Sequence, residues 1–234
     1  MPKICIINCG VCNLKNKYTE NKLTKASYNE LLKLASRLNM HGLSPILIGG
    51  WAVYFHTKGA KSIDIDIILP SRYAVKIFEK HCKQHGFIRS KSKVRALFKK
   101  EIRTESGKKE EIQLDIFTLA DKNSLASDNS IEIPWKLAEK YSKELRLENK
   151  AMVRLPDKEV LLLYKFAALI DREYKIRTWV MPTVLNERLR SKIEKDRSDI
   201  LGLIKTGIDE KELKRLVKKI GLLKQFDEKI KELK

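Results

Sequence analysis

Apolar positions follow two different periods along this chain. In the first half they come as short runs or alternate with polar residues, as strands do, and in the second half they recur at helical spacing. Leu31, Leu32, Leu34, Ala35 and Leu38 make one helical face, which predicts a helix capped by Ser27, running to about residue 40 and ended by Gly42. Strands are expected over 45–48 and 62–69, with a short helix over 51–56 between them. Ser71 then starts a helix that ends near Gly86. Further strands are expected near 87–88, over 94–103 and over 111–118, with Ser106-Gly107 as a hairpin turn between the last two. Residues 119–133 read as loop with a short strand at 131–133, and Pro134 introduces a helical stretch over 135–147. Pro156-Asp157 opens a strongly apolar helix. The remainder reads as helical, with breaks near Pro182 and at Gly207. In the tail, Leu213, Leu216, Val217, Ile220, Leu223, Phe226 and Ile230 keep helical spacing, as core or as a partner-binding helix pair. The expected class is α+β. An N-terminal extension (1–25) precedes a mixed-sheet core (26–133), and a helical domain (134–234) follows.

Chemistry concentrates in the first strands. Ile46-Leu47-Ile48 runs into Gly49-Gly50-Trp51-Ala52-Val53, and a later strand reads Ser62-Ile63-Asp64-Ile65-Asp66-Ile67-Ile68. Side chains alternate across a strand, so Asp64 and Asp66 share one face while the isoleucines point into a core. Two carboxylates on one face of an apolar strand repel each other, and a divalent cation that prefers oxygen ligands offsets that repulsion. Glycines ahead of a helix let backbone N–H groups approach a phosphate. A third acid, Asp115, sits inside the apolar run Ile112-Gln113-Leu114-Asp115-Ile116-Phe117 and would join the pair if the two strands are neighbours. The bland alternative is that these acids cap turns or pair with some of the many lysines.

Gly49-Gly50, then Asp64-x-Asp66, then a strand aspartate at 115 resembles the nucleotidyltransferase superfamily, with its DNA polymerase β-like fold. The run Gly49-Gly50-Trp51-Ala52-Val53 is most similar to antibiotic nucleotidyltransferases and to the AbiEii-type family of toxins and their relatives. The resemblance implies a nucleotidyltransferase core followed by a helical C-terminal domain. It implies that Asp64, Asp66 and Asp115 hold two Mg²⁺ ions on a nucleoside triphosphate (NTP), and that Asp115 helps deprotonate an acceptor hydroxyl. Gly49, Gly50 and Ser62 would contact the triphosphate. The reaction would transfer a nucleoside monophosphate and release pyrophosphate. Many relatives carry Arg and Thr just before Asp-x-Asp, whereas this chain has Ala60-Lys61-Ser62, a departure that weakens the phosphate role there.

Lys165 lies in the middle of an apolar helix and shares a face with Arg172. Asp196 and Asp199 share a face of a later helix. This arrangement looks like the later motifs of the AbiEii-type family, where the lysine serves the nucleotide site and the acids lie beside it. The alternative is a core lysine paired with Asp196 or Asp199.

Charge narrows the partners. The 234 residues carry 49 Lys and Arg against 30 Asp and Glu, a net charge of +19. That excess favours a polyanionic acceptor, tRNA or another RNA, through steering and counterion release. Basic residues are densest from Arg89 to Lys109 and from Arg188 to Arg197. Aromatic interleaving is sparse and no nucleic-acid-binding motif is evident. A small-molecule acceptor, as in antibiotic modification, remains open, as does a non-catalytic nucleotide- or RNA-binding protein. The toxin-like reading brings an antitoxin partner with it. No apolar run approaches the ~20 residues that span a bilayer. With no signal-like N-terminus either, a cytoplasmic protein is expected. Cys5, Cys9 and Cys12 would suit a zinc site completed by Cys82, His81 or His85, against the default of ordinary reduced thiols.

Overall fold

Ile46-Leu47-Ile48 is buried throughout, as expected for a strand in the middle of a sheet. The computed structural model describes residues 22–90, 96–103 and 107–233. In chain order the elements are α1 (Lys22–Asn39), β1 (Ile46–Ile48), α2 (Gly49–Thr57), β2 (Ile65–Leu69) and α3 (Arg72–Gln84). Next come β3 (Ile88–Arg89), β4 (Ala96–Arg103), β5 (Lys109–Thr118), α4 (Lys136–Lys140), β6 (Ser142–Arg146) and β7 (Met152–Pro156). Four helices complete the chain: α5 (Lys158–Thr178), α6 (Thr183–Lys205), α7 (Glu210–Lys219) and α8 (Leu223–Leu233). The class is α+β, with a mixed seven-stranded sheet in the order β3-β4-β5-β2-β1-β7-β6 and a helical C-terminal region. The expectations on Cys5, Cys9, Cys12, Val94, Arg95 and Ser106 lie outside the described residues.

Parity along β5 sorts the two faces of the sheet. Ile112, Leu114 and Ile116 are buried on one face. On that face Phe98 of β4, opposite Leu114 in register, meets Phe78 of α3 with ring centroids 5.3 Å apart. Gln113, Asp115 and Phe117 face the other way. There α6 reaches the sheet, and Arg188 donates to Gln113 Oε1 at 3.2 Å. Helix α5 is buried at four consecutive positions, Val160 to Leu163, because it packs between α2, α6 and α7. Among the described residues no helix is long and apolar enough to cross a membrane.

The helical stretch expected over 135–147 is corrected. Helix α4 stops at Lys140, and Ser142–Arg146 is the edge strand β6, paired antiparallel with β7. Lys143, Glu144, Leu145 and Arg146 favour helix locally, but the ladder with β7 overrides that preference. Charges on an edge strand also discourage pairing with other chains. The sheet therefore takes in residues as late as Pro156, and the chain becomes wholly helical from Lys158. The short strand expected at 131–133 reduces to a bridge between Ser124 and Glu132. Ser71 does cap its helix, accepting from the Ala74 N–H.

Ser27 is not a cap. α1 begins at Lys22, and Ser27 is buried inside it, where its Oγ accepts the Trp51 indole N–H at 3.0 Å. Trp51 is only 1% exposed, so without Ser27 its donor would be buried and unpaired. We expect Ser27→Ala to lower stability by ~1–3 kcal/mol in urea denaturation. Adding Trp51→Phe should cost less than the two separate losses combined, because the stranded donor is removed as well.

Candidate active site

The floor of the site is set by strand register. β2 and β5 run parallel with Asp66 opposite Asp115, so both carboxylates project from the same face. Asp64 lies just ahead of Ile65, the first residue of β2, rather than inside the expected strand. Crowding of like charge shows in the chemistry of Asp66. Burial, then Asp115 and Asp64, push its carboxyl up to about 6, while Lys165 and Lys192 pull the other way. Among the described residues, the Asp64, Asp66 and Asp115 oxygens do not all come within 4.8 Å of one another, as mutual repulsion favours.

Gly49 and Gly50 begin α2 directly at the end of β1. Gly49 has φ +65°, and a Cβ on it would fall 2.0 Å from Asp66 Oδ2. A Cβ on Gly50 would fall 2.7 Å from Ser62 Oγ and 2.9 Å from Lys195 Nζ. Any side chain at either position would displace the site's own polar atoms. Ser62 is buried, and its Oγ accepts from Lys195 Nζ at 3.2 Å, so it sits beneath Gly50.

A cleft of 320 Å³ opens above this floor. Gly49, Asp66, Lys165 and Asp196 line it, whereas Gly50, Ser62, Asp64, Asp115 and Asp199 stand outside its lining. Lys165 Nζ lies 3.1 Å from Asp196 Oδ1 and 2.6 Å from Asp199 Oδ2. Arg172 also pairs with Asp196. The two acids thus reach the site through Lys165, whose ammonium they fix beside the cleft. Lys165 is paired with these acids, as the alternative reading expected, and it also lines the cleft and tempers Asp66.

Several lining residues escaped the sequence reading. Lys175, Lys192, Phe117, Trp135 and Tyr164 belong to the wall. Their signal was helical spacing: Leu161, Tyr164, Lys165, Ala168, Asp171, Arg172 and Lys175 form one stripe of α5, and Leu189, Lys192 and Asp196 one stripe of α6. Lys192 Nζ stands 3.9 Å from Asp64 Oδ2. Burial pulls its ammonium below the ordinary value, helped by Arg172 and Arg188 and opposed by Asp64. Trp135 packs against Phe117 and Tyr164, with centroids 4.5 Å and 5.1 Å away. The Tyr164 hydroxyl accepts from the Ala138 N–H and donates to the Pro134 carbonyl, while the Trp135 Nε1–H is buried without a partner.

No protein-family model matches the chain, and no curated protein matches it in sequence. Solved structures are similar in fold. An antigenic nucleotidyltransferase-like protein from Paracoccidioides brasiliensis is 14% identical with TM-score 0.47, over 90% of this chain and 91% of that one. The antibiotic-resistance factor ANT(2″)-Ia in solution is 18% identical with TM-score 0.42, over 75% of this chain and 91% of that one. ANT(2″)-Ia in complex with adenylyl-2″-tobramycin is 16% identical with TM-score 0.42, over 77% of this chain and 98% of that one.

The raised carboxyl of Asp66 has a signed consequence. The folded state holds that proton more tightly than the unfolded chain, so its contribution is present at low pH and is lost as pH rises toward about 6. Asp66→Asn should therefore be the more stable protein at pH 7 in EDTA, by on the order of 2 kcal/mol, with the advantage fading toward pH 4. Denaturation midpoints across that range check it; an advantage independent of pH would contradict the crowding.

Proposed function

We propose that the chain is a Mg²⁺-dependent nucleotidyltransferase that moves a nucleoside monophosphate from an NTP to an acceptor hydroxyl and releases pyrophosphate. The observation that carries this reading is the in-register pair Asp66–Asp115, with Asp64 beside it, beneath the Gly49-Gly50 start of a helix. The donor set fits the metal: three carboxylates offer hard oxygen donors, and burial together with Asp115 and Asp64 makes the charged form of Asp66 costly, which a divalent cation would offset. Asp64, Asp66 and Asp115 would hold the ions. Bound there, Mg²⁺ would neutralise charge on the triphosphate and on the attacking and leaving oxygens.

The chain's own residues do the rest. The first N–H groups of α2 have no partner within the helix and face the phosphates at its positive end. Asp115 accepts the acceptor's hydroxyl proton. The freed oxygen bonds to the α-phosphorus, and the bond to pyrophosphate breaks. Lys165, fixed by Asp196 and Asp199, meets the developing negative charge together with Arg172, Lys175 and Lys192. Phe117, Trp135 and Tyr164 offer an apolar wall for a base or sugar.

For the acceptor we favour RNA, in a toxin-like role. The cleft carries Lys165, Arg172, Lys175 and Lys192, and the whole chain has a net charge of +19. Asp66, Asp171 and Asp196 share that lining, so the preference for a polyanion over a polycationic antibiotic rests on the charge of the whole chain. A small neutral acceptor and a non-catalytic binder are separated by the same assay. The protein is incubated with Mg²⁺, each of the four labelled ribonucleoside triphosphates in turn, and total RNA. Label should enter RNA with the intact protein and not with Asp64→Asn/Asp66→Asn. Absence of transfer to RNA would overturn the acceptor, and failure to release pyrophosphate on any acceptor would overturn the enzyme.

Asp115→Asn removes the base together with one ligand of the ions. Its turnover should fall by roughly 10²–10⁴-fold while NTP binding remains. Steady-state rates compared with equilibrium binding give the split.

A further inference from the structure

Away from the cleft, on the opposite face of the sheet, three side chains converge. Glu30 comes from α1, and His81 and His85 come from α3. Lys100 of β4 marks the face. It pairs in register with Ile112, whose side chain points away from Asp115, and its Nζ reaches Glu30 Oε1 at 3.0 Å. None of the three residues lines the cleft. Each offers a ligand atom, and these atoms lie within 4.8 Å of one another.

Two side-chain atoms of this cluster are buried without a partner. Glu30 and His81 are 5% and 2% exposed, and both Glu30 Oε2 and His81 Nε2 lack a hydrogen bond. Buried polar atoms are rarely left so, and two of them in one cluster call for a third participant. His81 and His85 are one helical turn apart, so their rings share a face and stack with centroids 4.2 Å apart.

We propose that Glu30, His81 and His85 form a binding site for a divalent transition-metal cation of the Zn²⁺ class. Imidazole selects such ions over Mg²⁺ and Ca²⁺, and two histidines with one carboxylate make a known three-ligand set for zinc, with water completing the shell. Glu30 keeps Oε1 on Lys33 at 3.1 Å and on Lys100, which fixes the carboxylate while leaving Oε2 for the metal. Those two ammonium groups also oppose the cation, so the affinity is lower than for an isolated site. The ion would tie α1 to α3, a clamp on the sheet face remote from the proposed chemistry. Cys82 is adjacent in sequence and buried, but its sulfur is not in the cluster.

The test uses the full chain carrying Cys5→Ser, Cys9→Ser and Cys12→Ser, stripped with chelator and titrated with Zn²⁺. One ion should bind per chain. The thermal midpoint should rise by about 5 °C at free Zn²⁺ a hundredfold above Kd. His85→Gln should melt at the parent's temperature without metal and bind Zn²⁺ at least tenfold more weakly. Co²⁺ in the same protein should absorb without a thiolate charge-transfer band. Imidazole nitrogen resonances provide a reading that needs no histidine variant: two of the chain's four histidines should shift on adding Zn²⁺. Absence of binding, unchanged affinity in a folded His85→Gln, unmoved imidazole resonances, or a thiolate band that Cys82→Ser abolishes would each overturn the assignment.

Discussion

The architecture is organised around a repulsion. Asp66 and Asp115 stand side by side on parallel strands with Asp64 next to them, and Lys99, which β4 places on that face, is paired with Glu111. Relief comes from helices that follow much later in the chain. Lys192 approaches Asp64, and Lys165 tempers Asp66. Lys165 in turn is pinned by Asp196 and Asp199, and Asp196 also holds Arg172. Charge therefore alternates outward from Asp66 of the strand through Lys165 of α5 to Asp196 and Asp199 of α6. A buried network of this kind contributes little net stability but specifies a single arrangement.

Close approach is the second constraint. At Gly49 the backbone turns from β1 into α2 with a positive φ and passes against the Asp66 carboxylate. At Gly50 it passes over Ser62 and Lys195. The backbone N–H groups at the head of α2 are thereby kept within the same small region as the acids. Only a residue without a side chain permits that juxtaposition, and Trp51, bonded to Ser27 of α1, anchors the helix behind it.

Much of this was legible before any coordinates, for identifiable reasons. Strict alternation in Ile63 to Ile67 placed the acids on one face, and the Gly-Gly run marked the turn. What escaped was set by tertiary context. β6 has the composition of a helix and becomes a strand only because β7 lies beside it on the sheet edge. Ser27 resembles a cap because its partner, Trp51, is far along the chain. Ser62 is buried and engaged by Lys195, a partner 133 residues away that its local sequence does not mark. Lys192 was visible only as one basic residue among many, since nothing in its local sequence points to Asp64. Glu30 did carry a signal, as an acid embedded in the apolar face of α1, but its histidine neighbours belong to another helix.

The cleft also has an order of assembly written into it. Its floor is made by residues near 48–66, its far wall by residues 161–196. During synthesis the acids emerge first, and the lysines that balance them arrive only after the whole sheet has been made. A nascent chain that has reached β7 but not α6 holds a set of crowded carboxylates with no Lys192 and no anchored Lys165. Completion of the cleft is thus deferred to the last third of translation, and a chain interrupted before that point lacks one of its walls.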